Sequence, residues 1–126
     1  MVLTFPMAVS ANQRLIRSKK GHQLISSQKY RAWKDGALWI LKPQIRQRFN
    51  QGERLSLKLT MHFKDKRPRD LDNYVKGAQD LLTDAGVWGD DKQVDLLIVK
   101  RGELQTNCPE IKAEINVISE IKKDDP

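Results

Sequence analysis

Cysteine is almost absent from this 126-residue chain, Cys108 standing alone. A single cysteine excludes an intramolecular disulfide, and nothing points to an oxidising compartment. With only His22 and His62 beside it, far apart in sequence, no common zinc spacing is present. Long apolar runs are missing too. The longest, residues 37–41, is far short of the ~20 residues a bilayer-spanning helix needs. The first ten residues have neither the basic stretch nor the apolar core of a signal peptide. The reading is therefore a chain with no membrane segment, expected in the cytoplasm.

Acidic residues are nearly missing from the first fifty positions, where Asp35 faces ten lysines and arginines. The remaining 76 residues carry thirteen basic and fifteen acidic groups, and the whole chain has a net charge of +7. Eight acids between Asp65 and Asp95 are all aspartates. A basic chain with a local aspartate cluster suggests a polyanionic partner and a cation site.

The length fits one domain, residues 1–126. Residues 2–7 read as a first strand, residues 8–21 as an exposed basic loop, and residues 22–25 as a short strand. Ser26 or Ser27 can cap the helix that follows, in which Tyr30, Trp33, Ala37, Leu38 and Leu41 share helical spacing. Pro43 should end it. Residues 54–63 alternate strictly, with Leu55, Leu57, Leu59, Met61 and Phe63 on one face, which is a strand signature. Leu71, Val75, Ala78, Leu82 and Ala85 then mark one face of a second helix, closed by Gly86. Residues 94–101 and 111–118 read as two more strands. The expected fold is α+β, a mixed sheet with two main helices packed on it.

The second helix begins at Arg69-Asp70-Leu71-Asp72-Asn73, and Trp88-Gly89-Asp90-Asp91 follows it. Asp70 occupies an N-cap position and Asp72 the first turn, with Lys76 four residues on along the polar face. Capping and the helix dipole are the commoner reasons for such acids. The alternative is a magnesium site, because Mg²⁺ takes hard oxygen ligands from a few carboxylates. Asp91 could join Asp70 and Asp72 only if the next strand runs back along the helix.

The run from Arg69 to Asn73, with Lys76 and then Trp88-Gly89-Asp90-Asp91-Lys92-Gln93-Val94, resembles the RusA family of Holliday-junction resolvases. The N-terminal strand, the Ser10-Ala11-Asn12 loop and the closing strand pair look similar as well. The resemblance implies a small homodimeric, structure-selective endodeoxyribonuclease. It would cut four-way and other branched DNA by paired symmetric nicks in recombination and repair. It implies a magnesium requirement, with Mn²⁺ as a substitute ion and no small-molecule cofactor. The family's metal-binding catalytic aspartates fall on Asp70, Asp72 and Asp91, and its essential lysine on Lys76. Asp90 and Arg69 match positions that support the site or contact DNA. Residues 6–9, Gly36 and Pro43 depart from the family's pattern, which leaves the DNA-facing loops open.

Asn73 is a further supporting residue, bonding a metal water or a carboxylate, with capping as the other role. Candidate DNA contacts are Arg14, Arg17, Lys19 and Lys20 in the loop, Arg31 and Lys34 on the first helix, and Lys64, Lys66, Arg67 and Arg69 before the site. Such charges neutralise phosphates with release of counterions. A two-fold dimer answers a reaction that needs two nicks, and Trp39, Ile40 and Ile45 are apolar residues that could serve it or the core. Two rival functions use the same residues. One is a metal-dependent phosphohydrolase acting on small nucleotides. The other is a non-catalytic basic nucleic-acid-binding module in which Asp70 only caps a helix.

Overall fold

The computed structural model describes residues 1–17 and 24–118. In chain order the elements are β1 (Val2–Pro6), α1 (Ala11–Arg14), β2 (Leu15–Arg17), β3 (Leu24–Ser26), α2 (Gln28–Leu41), β4 (Leu55–His62), α3 (Val75–Asp84), β5 (Val94–Arg101) and β6 (Glu110–Val117). Short 3₁₀ turns lie at Lys42–Gln44, Leu71–Tyr74 and Asp91–Gln93. Four strands form one mixed sheet in the order β1-β6-β4-β5, and β2 pairs with β3 separately. The α+β architecture with two main helices is the one expected.

Residues 8–21 are not the plain exposed loop that their polarity suggested. Ala8 and Val9 are buried, residues 11–14 are helical, and Leu15–Arg17 pairs antiparallel with Leu24–Ser26. The polar count hid two small residues that let the chain approach α3. A Cβ on Gly77 of α3 would lie 3.4 Å from the Ala8 Cβ.

Strand β4 is the spine of the sheet. Leu55, Leu57, Leu59 and Met61 are all buried on one face, as period-two alternation requires. They meet Leu3 and Phe5 of β1, Leu41 of α2, Leu81 and Leu82 of α3, and Ile111 and Ile115 of β6 in one core. Ser27 caps α2 by accepting the Tyr30 amide at 3.0 Å, and its hydroxyl donates to the Gln13 carbonyl at 2.6 Å. That second bond ties α1 to α2. Pro43 follows α2 within the 3₁₀ turn and the chain leaves extended at Ile45. Trp39 and Ile40, at 82% and 51% exposure, lie outside the core, while Ile45 packs against it.

The connection that positions the site is β4–α3–β5. Strands β4 and β5 are parallel, so α3 must carry the chain back from the end of β4 to the start of β5. Gly86, at φ 79°, makes the reversal out of α3 that other residues rarely adopt. Among the described residues no helix is long and apolar enough to cross a membrane.

Candidate active site

Asp70 lies where the sequence puts it, at the N-cap of the 3₁₀ turn that leads into α3. Its backbone carbonyl accepts the Asn73 amide at 3.1 Å, but its side chain caps nothing. Asp70 and Asp72 are both exposed. The capping role is therefore vacant at the position where it was the simplest explanation.

Asp90 is the opposite case. Its carboxylate accepts the Lys92 amide at 2.9 Å, and Gln93 returns the favour by accepting the Asp90 amide at 3.2 Å, a full capping box. Gln93 is buried, takes the Gly89 amide at 2.9 Å, and donates to the carbonyls of Asn50 and Glu53. The turn carrying Asp90 and Asp91 is thus pinned to the loop before β4.

That pin sets Asp91 against the side of α3. The Thr83 hydroxyl donates to Asp91 Oδ1 at 2.6 Å and the Lys76 ammonium to Oδ2 at 3.2 Å. The buried Trp88 indole N–H in turn donates to Thr83 Oγ1 at 2.7 Å. Lys76 also reaches Asp80, 3.1 Å away and one turn along α3. Lys76, Asp80 and Thr83 are one stripe of the helix at offsets 0, 4 and 7. Burial pushes the Asp91 carboxyl up, but the Thr83 hydroxyl and Lys76 outweigh it and hold its pKa below the ordinary value. Asp80 and then Asp91 hold the Lys76 ammonium above its usual 10.5.

Asp80, Thr83 and the positioning role of Trp88 were not read from the sequence. Asp80 had a signal, the i,i+4 spacing from Lys76. Thr83 had none until the chain reversal brought Asp91 to it.

Asp91 joins Lys76 and Thr83. It stands in the turn just before β5 and is held along the face of α3, from Thr83 in the last turn to Lys76 in the first. It is the other end of β5 that meets the Asp70 loop: Arg101 donates to the Arg69 carbonyl and stacks 5.2 Å from the Phe63 ring centre. The donor chemistry of Asp70, Asp72 and Asp91 fits a hard divalent ion. Among the described residues, however, no three acids, histidines or cysteines are grouped around one point.

Next to the Asp70 loop opens a polar cleft of about 590 Å³. Its walls include Lys29, Lys64, Arg67 and Arg69, with Phe63 and Tyr74. Lys29 was not among the expected contacts; it faces the cleft from α2 and donates to Gln13 Oε1 at 2.9 Å. Arg69 is held by Asp65 at 2.8 Å and lies 4.9 Å from the Phe63 ring centre. Asp65 holds Arg67 as well, and the Arg67 amide and then Arg69 lower its pKa. Lys64 and Lys66 are exposed, as is Arg31 on α2. Lys34 is paired with Asp84 of α3. Arg14 closes α1 and Arg17 lies in β2, while Lys19 and Lys20 fall outside the described residues.

A family model described as Endodeoxyribonuclease RusA matches residues 5–116 of this chain. The chain belongs to the RusA family. Crossover junction endodeoxyribonuclease RusA of Shigella sonnei (strain Ss046) is 36% identical over 99 residues, covering 78% of this chain and 80% of that protein. Proteins of the same name in Escherichia coli (strain K12) and Enterobacteria phage 82 are each 35% identical with the same coverage. The matched RusA region contains Asp70, Asp72, Lys76, Asp90 and Asp91, and takes in both walls of the cleft. Membership of this nuclease family implies a divalent-metal requirement in general.

Proposed function

We propose that this chain is a Holliday-junction resolvase, a structure-selective endodeoxyribonuclease that acts in the cytoplasm on four-way and other branched DNA as a homodimer with Mg²⁺. The observation that carries the reading is Asp70. It occupies a cap position, its carboxylate caps nothing, and its neighbour Arg69 lines a cleft walled by cations and aromatic rings. A capping acid would be spent on its own helix; this one is left for a ligand.

Asp70, Asp72 and Asp91 are the candidate ligands of the ion, with Mn²⁺ as a substitute; they do not surround one point in this structure, so binding would have to draw the Asp70–Asp72 turn and Asp91 together. When bound, Mg²⁺ supplies charge neutralisation at the scissile phosphate and lowers the cost of ionising water there. The other parts of the site act through the protein alone. Lys76, cationic at every working pH, offsets charge that develops on the phosphate oxygens. Thr83 and the turn pinned by Gln93 fix Asp91. Lys29, Lys64 and Arg67 line the route for the DNA backbone, and Arg69 shapes the loop that carries Asp70. Asn73 closes the first turn behind Asp70 through its amide.

The deciding experiment is Asp70→Asn on a four-way junction with Mg²⁺. Asn caps about as well as Asp, so a mere cap or a binding module would leave everything intact. The resolvase reading expects cleavage to be lost while junction binding is kept. Cleavage at the wild-type rate by Asp70→Asn overturns it. A parallel competition with free nucleotides separates the resolvase from a small-nucleotide phosphohydrolase, since only the latter would be inhibited by them.

A further inference from the structure

Both carboxylates around Lys76 have a partner on each oxygen. Asp80 Oδ1 faces the Lys76 ammonium at 3.1 Å, and Asp80 Oδ2 accepts the Tyr30 hydroxyl of α2 at 3.4 Å. Asp91 Oδ1 accepts the Thr83 hydroxyl at 2.6 Å, and Asp91 Oδ2 faces the same ammonium at 3.2 Å. The contacts run from Tyr30 through Asp80, Lys76 and Asp91 to Thr83 and Trp88. A buried aromatic donor stands at each end, the Tyr30 hydroxyl and the Trp88 indole. Lys76, in the middle, is the most exposed member, with 53% of its side chain open to solvent.

Lys76 thus sits on an oxygen that Asp91 would offer to a divalent ion. Two cations on one oxygen are like charges at short range and repel. One partner of Asp91 must therefore leave before that carboxylate can take an ion. Moving Thr83 would strand the buried Trp88 N–H, which its hydroxyl also accepts. Moving Lys76 strands nothing, because a second carboxylate is already within reach of its flexible side chain.

We infer, on the reading of Asp91 as a metal ligand, that Lys76 is the resident counter-ion of Asp91 and withdraws to Asp80 when Asp91 takes a divalent ion. Asp80 is then a positioning residue of the active site, acting through Lys76. It has what the role requires. It lies one helical turn from Lys76 on the same stripe of α3. Tyr30 holds it from the neighbouring helix, so it stays in place while Lys76 moves. It keeps the ammonium beside the site, within reach of a phosphate, where a lysine without a second partner would swing into solvent. One lysine serves two states in this way: it balances the charge of Asp91 before an ion binds, and it is released for the substrate once the ion is in place.

The test uses the full-length protein without DNA and Mn²⁺ alone as the probe, with free ion measured by its paramagnetic resonance signal. Lys76→Met removes the resident cation and should tighten Mn²⁺ binding. Asp80→Asn keeps an oxygen for Tyr30 but takes away the second seat of Lys76. It should weaken binding by about five-fold, the upper range for a partly exposed ion pair. In the Lys76→Met background the same Asp80→Asn change should alter affinity by less than about two-fold, the scatter expected of uncoupled positions. Equal weakening in both backgrounds would make Asp80 a ligand or a distant charge, and overturns the exchange. So does a Lys76→Met protein that binds Mn²⁺ no more tightly than the wild type.

Mg²⁺ gives a second readout. The nitrogen NMR signal of the Lys76 ammonium, identified by its loss in Lys76→Met, should shift as Mg²⁺ is added to the wild type and remain visible at saturation, held by Asp80. In Asp80→Asn it should be lost through exchange with water. A wild-type signal that does not move through saturation means that Lys76 stays on Asp91, and overturns the proposal. A wild type that binds neither ion removes the metal-ligand reading of Asp91 and the exchange with it. Ion binding with the exchange but without junction cleavage counts against the resolvase reading alone.

Discussion

Asp70 and Asp90 look alike in sequence: each is an aspartate at a helix start, followed closely by another. In the fold they part. Asp90 completes a capping box with Gln93, whereas the Asp70 carboxylate caps nothing. The difference lies in what holds each turn. The Asp90 turn is fixed by a buried glutamine bonded to the loop before β4, so the cap is one bond in a closed structural set. The Asp70 turn is held through backbone and through neighbours: the Asn73 amide, the Arg69–Asp65 pair, and Arg101 from β5. Its carboxylate is not needed to keep it in shape.

Substitutions can break that contrast. The largest effect should come from Asp70→Asn, with junction cleavage down by about 100-fold or more, the scale of removing one group that meets transition-state charge. Without Mg²⁺ its melting temperature should not move. Equal loss in Asp90→Asn, which keeps the cap, would erase the distinction. Next comes Thr83→Val, which strips Asp91 and the buried Trp88 N–H of their shared partner. It should cost about 1–2 kcal/mol in chemical denaturation and lower cleavage, with Thr83→Ser restoring both. Bound Mg²⁺ should raise stability by about 1.4 kcal/mol at ten times its Kd. Calorimetry should find this rise in the wild type and a smaller one in Asp70→Asn. Asp90→Ala should cost about 1 kcal/mol with cleavage retained, the usual loss of an N-cap.

The smallest effect concerns pH. The folded pKa of Asp91 is depressed, so its contribution to stability is complete above the unfolded value near 3.9 and fades as pH falls through the folded one. Removing its hydroxyl partner in Thr83→Val should therefore move the acid limb of the unfolding curve to higher pH. An acid limb that stays in place would mean that Lys76 alone sets the Asp91 charge.

Much of the fold was legible because short-range physics wrote it. Alternation marked β4, helical spacing marked α2 and α3, and Ser27 and Gly86 marked helix ends. Residues 8–21 were misread because Ala8 and Val9 are buried by a tertiary approach to Gly77, which their polar surroundings concealed. The site was legible in part. The motif around Asp70 and Asp91 pointed to the RusA family, and Asp80 stood at a readable spacing from Lys76. Thr83 could not be read, since its meeting with Asp91 exists only after the chain reverses at Gly86.

By itself the sequence determined most of the elements and the family, and it put forward the acids and the lysine proposed for the chemistry, because these depend on residue type and local spacing. Tertiary structure alone decided which aspartate is spent on a cap and which is left over. It also decided that Asp91 pairs with Lys76 and Thr83, and that, among the described residues, no strand pairs with the outer edge of β5. Each of those outcomes depends on groups distant in sequence meeting across the β4–α3–β5 crossover or along a strand edge, where no local pattern records the contact.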